Sequence, residues 1–174
     1  QRLYDSQTWP AQPVPYEIES NISIRKRDTA DTTTITIEPG ADFRLRSGVT
    51  IDFNSYEMIA EGTADNPITF DAVNADAHWN SIALGGTGST IGESSLRYVT
   101  MRNGGGNDAT NNNGALYVDA YSGTTGKGPV IDHLTIEQSG AYGLVVEMED
   151  SDAIIISNTT INGSARAAMR IAAS

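Results

Sequence analysis

Residues 131–146 and 156–171 carry one pattern at a constant offset of 25. Ile131 falls on Ile156, Thr135 on Thr160, Ile136 on Ile161, Ser139 on Ser164, Leu144 on Met169 and Val146 on Ile171. The leading piece recurs in 96–105, where Val99, Thr100 and Met101 match Leu134, Thr135 and Ile136. There the second short strand, Ala115-Leu116-Tyr117-Val118, is delayed by the Asn/Gly-rich insertion 106–114. Self-similarity at a fixed period belongs to architectures whose units cannot bury an apolar face alone and must stack on their neighbours.

Each unit holds short apolar-x-apolar pieces between Gly, Ser, Asn and Asp, and alternation over three to five residues is the period of a strand. The same triplet occurs as Ile22-Ser23-Ile24, Ile35-Thr36-Ile37, Val49-Thr50-Ile51, Ile68-Thr69-Phe70 and Ile82-Ala83-Leu84. No segment offers a capped apolar stripe at helical spacing, so helix is expected at most as a short N-terminal piece. The chain is therefore read as all-β. The middle residue of each triplet faces out and its neighbours face in. Coils stacked at about 4.8 Å would give about six or seven turns and a rod of order 30 Å. Ile, Val, Leu and Met ladders would fill it, with Gly and Asn at corners that need left-handed backbone.

Charge narrows the partners. Eleven Lys and Arg against 22 Asp and Glu give a net charge of −11. Residues 51–174 hold five bases and fifteen acids, a difference of −10. Nucleic-acid binding rests on phosphate neutralisation by Lys and Arg, so nucleic acid and anionic membrane are not expected partners. No run approaches the roughly 20 apolar residues of a membrane-spanning helix. The chain has no cysteine, which removes disulfides, thiolate nucleophiles and Cys-ligated metals. His78 and His133 are its two histidines, too few for a multi-histidine metal site.

Together the repeats and the opening run resemble the right-handed parallel β-helix proteins of the pectate-lyase-like superfamily, in their secreted or surface bacterial and archaeal forms. The run comprises Trp9, Pro15-Tyr16, Ile22-Ser23-Ile24 and Thr36-Ile37-Glu38-Pro39-Gly40, then Ile59 to Phe70 and His78-Trp79-Asn80-Ser81-Ile82. The resemblance implies a single-stranded right-handed parallel β-helix and an extracellular or cell-surface location. Residues 1–24 are expected to form an N-terminal cap and first strand, and 25–174 the coils. The last coil has no capping segment, which implies a longer chain or an end-to-end contact. The superfamily spans lyases, hydrolases, adhesins and scaffolds, so fold alone assigns no activity.

Catalytic constellations are weak. The paired Asp residues, Gly-His-Gly and Arg-Ile-Lys of a β-helical galacturonan hydrolase are not met: His133 sits in Asp132-His133-Leu134, and Arg170-Ile171 precedes Ala172. A lyase site would draw on Arg97, Arg102 and Asp132, but an Arg97–Asp132 ladder pair explains that alignment structurally. No catalytic residue is assigned. The insertion with Asn107, Asp108, Asn111, Asn112 and Asn113 is the first candidate recognition loop. Tyr98 and Tyr117, at outward positions, could stack on sugar rings. Glu147, Glu149, Asp150 and Asp152 form an acidic turn with the hard oxygen ligands that Ca²⁺ takes, or a solvated turn. A column of outward threonines, Thr100, Thr135 and Thr160, leaves ice binding as a third class. The expected function is a non-catalytic adhesive or structural module that presents a stiff face and loops to a glycan or another surface protein. A fragment of a carbohydrate-active enzyme is the alternative.

Overall fold

The computed structural model describes residues 1–25, 34–53, 57–85, 94–106, 114–120, 128–148 and 154–173. Among them all regular structure is β, with no helix and hence none long and apolar enough to cross a membrane. The chain opens with β1 (Arg2–Leu3), β2 (Gln7–Trp9) and β3 (Tyr16–Ile18), then β4 (Ile22–Ile24), β5 (Thr34–Ile37) and β6 (Asp42–Leu45). β7 (Thr50–Phe53), β8 (Glu57–Glu61), β9 (Ile68–Ala72) and β10 (Ser81–Gly85) follow. Next come the longer β11 (Ser95–Arg102), β12 (Gly114–Ala120), β13 (Val130–Glu137) and β14 (Tyr142–Met148). β15 (Ile155–Ser157), β16 (Thr160–Asn162) and β17 (Met169–Ala173) complete the described strands.

Among the described residues every strand pairing is parallel, and each of the first eight strands pairs with the third one after it. One sheet runs β1-β4-β7-β10-β12-β14-β17. The other contains β2-β5-β8-β11 and β3-β6-β9-β11, because β11 pairs with β8 through its first half and with β9 through its second. β13 repeats that double role toward β15 and β16. The offset of 25 holds at each strand pair it was read from: Ile131 on Ile156, Thr135 on Thr160, Ile136 on Ile161, Leu144 on Met169 and Val146 on Ile171. Val99, Thr100 and Met101 pair with Leu134, Thr135 and Ile136, at an offset of 35. Strand register survives these length changes because the extra residues fall between strands.

Inward residues form ladders. Ile51, Ile82, Leu116, Leu144 and Met169 stack in one sheet, with Phe53, Leu84, Val118 and Val146 two positions on; Ile171 continues that register but is exposed. In the other, Tyr16, Phe43 and Phe70 lie face to face, at 5.0 and 4.8 Å between ring centroids, and lead to Met101, Ile136 and Ile161. These ladders belong to one continuous core, and a fully buried Ile, Leu or Phe contributes about 1.5–3 kcal/mol. In β10, β12 and β14 both faces are buried. There Ala83, Tyr117 and Val145, on the face opposite the main core, are also buried and form a second apolar group with Tyr142.

The corner between the two halves of β11 and β13 does not follow the expectation of Gly and Asn. Tyr98 (φ 47°) and His133 (φ 51°) both take left-handed backbone there, in one column with Asn158 (φ 45°). A second left-handed column holds Asn103, Gln138 and Gly163. Each non-glycine residue in this conformation costs roughly 1–2 kcal/mol. The paired ladders on either side hold the corner in place: Arg97 and Val99 are registered with Asp132 and Leu134. The corner residue also inserts one position into the alternation. Buried residues fall at 96, 99 and 101, and again at 131, 134 and 136, so outward side chains resume in phase beyond the turn. Tight glycines complete the neighbouring turn: Gly104, Gly105 and Gly106 are buried, and a side chain on Gly104 would run into the ring of Trp79.

Candidate functional site

Successive parallel strands place outward side chains in four columns across the corner of β11, β13, β15 and β16. Arg97, Asp132 and Ser157 form the first, and Tyr98, His133 and Asn158 the second. Thr100, Thr135 and Thr160 form the third, which Thr69 of β9 extends to four rungs. Arg102, Glu137 and Asn162 form the fourth. Thr36 and Thr50 stand elsewhere, paired with Thr8 and Ser81. The threonine array is thus longer than the sequence implied but one column wide.

At the corner the Tyr98 ring stacks on His133, with centroids 4.3 Å apart and planes 21° from parallel. His133 keeps 40 % of its side chain exposed and Tyr98 is half-buried, so the pair presents aromatic surface to solvent. Asp132, with a side chain 15 % exposed, anchors the site. Its Oδ1 accepts hydrogen bonds from the Ser157 hydroxyl (2.7 Å) and the Asn158 amide (2.8 Å). Its Oδ2 lies 3.7 Å from Arg97 Nη1 and 3.0 Å from His133 Nδ1. The His133 contact lacks the alignment of a hydrogen bond and acts through proximity. The Ser157 and Asn158 hydrogen bonds, followed by His133, hold the Asp132 carboxyl far below its ordinary range.

The expected Arg97–Asp132 ladder pair is present, and Arg97 also approaches Glu61 at 3.6 Å. Arg102 Nε donates to Glu137 at 2.7 Å. Both arginines proposed for a lyase site are therefore held against carboxylates. Ser157, Asp132 and His133 form no nucleophile–base pair, because the serine proton is directed at the carboxylate rather than the imidazole.

The remaining sequence candidates divide. Tyr117 faces away from the core as expected, but only 7 % of it is exposed. The apolar Ala83 and Val145 sit beside it in register, and its hydroxyl donates to Glu147 Oε2 at 2.8 Å. It is not part of the exposed patch. Burial, then the bond to Glu147, pushes its pKa well above the ordinary tyrosine value. Glu147 Oε1 lies 3.5 Å from Arg170, so both of its oxygens face protein partners. Asn107, Asp108, Asn111, Asn112, Asn113, Glu149, Asp150 and Asp152 lie outside the described residues. Among the described residues no group of three His, Asp or Glu side chains is arranged to hold a metal ion.

Sequence reasoning did not single out His133 for the corner or place Tyr98 in a left-handed turn. The signal was the apolar spacing i, i+3, i+5 in Leu96-x-x-Val99-x-Met101 and Ile131-x-x-Leu134-x-Ile136, which marks one inserted residue.

No protein-family model, curated protein or solved structure matches the chain.

Proposed function

We propose that the two sheets are walls of one right-handed parallel β-helix, similar to the pectate-lyase-like superfamily, and that it serves as a non-catalytic adhesive module outside the cell or at its surface. Six passes through the strands and the start of a seventh, each returning parallel in register, support the winding. Right-handedness follows from the near-universal hand of parallel crossovers. In this reading the four-column patch holds a glycan.

One observation carries the binding assignment. Two bulky side chains, Tyr98 and His133, occupy backbone positions that favour Gly or Asn, and their stacked rings remain partly exposed between a hydroxyl column and a carboxylate. Strain of this kind concentrates at functional sites. An aromatic face offers contact to the C–H side of a sugar, while threonine hydroxyls both donate and accept hydrogen bonds.

The test is a glycan array with the whole chain, followed by reducing-end and unsaturated-product assays on each glycan bound. Binding without product release is expected, with loss of binding in Tyr98→Ala and retention in Tyr98→Phe. No binding to any glycan, or release of sugar, overturns the proposal.

A further inference from the structure

We infer that the glycan held by this patch is an uncharged polysaccharide rather than a polyuronate, an inference that rests on the glycan-binding reading above. An acidic polymer needs free cationic groups, and the guanidinium groups here are already engaged. Arg97 lies 3.6 Å from Glu61 and 3.7 Å from Asp132, and Arg102 is 2.7 Å from Glu137. Two guanidinium groups thus face three carboxylates, which leaves the patch with a charge of −1. Two rungs further, Arg44 sits 3.1 Å from Asp42 and 3.0 Å from Asp71. Ser157 and Asn158 direct their donors at Asp132. What remains for a ligand is the Tyr98–His133 aromatic surface and the hydroxyls of Thr69, Thr100, Thr135 and Thr160, which complement sugar hydroxyls and carry no charge.

A polyuronate would bring one carboxylate per sugar against these acids on a chain of net charge −11. At contact distances, inside the Debye length of about 8 Å, that repulsion is little screened. The surface is also periodic, with equivalent side chains recurring at about 4.8 Å from coil to coil. A repeating polymer laid along the columns meets the same contacts on successive rungs, so affinity should rise with oligosaccharide length and level off once four threonine rungs are covered.

The experiment is affinity electrophoresis of the full chain through gels containing a neutral β-glucan, a neutral galactomannan or polygalacturonate, each at low and physiological salt. At least one neutral polymer should bind about tenfold or more tightly than polygalacturonate, with little salt dependence. Thr135→Arg, which adds an unpaired cation on a half-buried outward rung, should weaken neutral binding and strengthen polygalacturonate binding. Retardation by polygalacturonate equal to that by the neutral polymers, falling with salt, overturns the inference and leaves glycan binding intact. Retardation by none of the three here and no binding on the glycan array overturn both.

Discussion

Ile136→Ala removes a fully buried side chain from the inward ladder, where its backbone is registered between Met101 and Ile161. Three carbon atoms leave the core, worth about 0.8 kcal/mol each as apolar surface. The cavity left between two stacked neighbours brings the loss to about 3–4 kcal/mol. Thr135, one residue earlier, faces outward and is half-buried, so Thr135→Val should stay within about 0.5 kcal/mol. Urea unfolding followed by circular dichroism reads both differences. For a chain of this size each kcal/mol moves Tm by roughly 2–4 °C, so the alanine variant should melt roughly 6–16 °C lower. Ile136→Asp would place a charge in the same ladder and should not fold. Equal losses at 135 and 136 would refute the inside–outside assignment. A loss below about 1 kcal/mol for Ile136→Ala, the range of a surface change, would refute the stacked core itself.

Gly48 and Gly85 both have positive φ, 75° and 103°, but a Cβ at Gly48 meets nothing while one at Gly85 meets the Asp119 backbone carbonyl. Gly48→Ala should therefore cost about 1 kcal/mol, the backbone penalty alone, and Gly85→Ala more than about 3 kcal/mol, measured by the same unfolding curves. Tyr117→Phe removes the bond to Glu147 and should cost about 1 kcal/mol at neutral pH. Because the native state raises the Tyr117 pKa, its contribution is complete below the ordinary tyrosine value of about 10 and is lost as pH rises above it. The wild type should accordingly lose stability more steeply in alkali than the Phe variant. Asp132 runs the other way: its pKa is lowered by the Ser157 and Asn158 hydrogen bonds, so its contribution is complete above the ordinary carboxyl value of about 4 and fades as pH falls below it. Asp132→Asn should be less stable at neutral pH and lose less on acidification, and an unchanged acid slope would refute that role.

Strand identity and pairing were legible where apolar triplets recur at a fixed offset, because register is set by which face is buried. Where hydrophobic residues lie on both faces, the pattern indicates direction but not exposure. Tyr117 points outward as its register requires, yet Ala83 and Val145 beside it make that surface a second apolar cluster. The first 24 residues, read as a cap and first strand, contribute β1, β2, β3 and β4 to the sheets. Their strands have two or three residues each, too short for alternation to stand out among Pro10, Pro13 and Pro15. β6, Asp42–Leu45, was not among the triplets recognised: its outward positions are the charged Asp42 and Arg44, and the sequence does not show that Asp71 supplies the partner for Arg44.

The candidate site follows from the same accounting of positions. A flat strand shows alternate side chains to one face, so one wall alone offers columns spaced two residues apart. The residue inserted at 98 and 133 turns the chain without breaking the parallel ladder, and it adds side chains at the bend itself. At 158 that position is held by Asn, which takes the left-handed backbone at low cost and directs its amide to Asp132. At 98 and 133 it is held by two stacked rings, which make the turn more costly and supply no backbone advantage over Asn. The extra cost is offset in part by stacking, worth about 0.5–1.5 kcal/mol, and what distinguishes these two rungs from the third is the aromatic surface they expose. A turn selected for stability alone would place Asn or Gly on every rung; here the departure falls on the two rungs flanked by Arg97, Asp132, Thr100 and Thr135, where a ligand would meet rings, hydroxyls and a fixed carboxylate together.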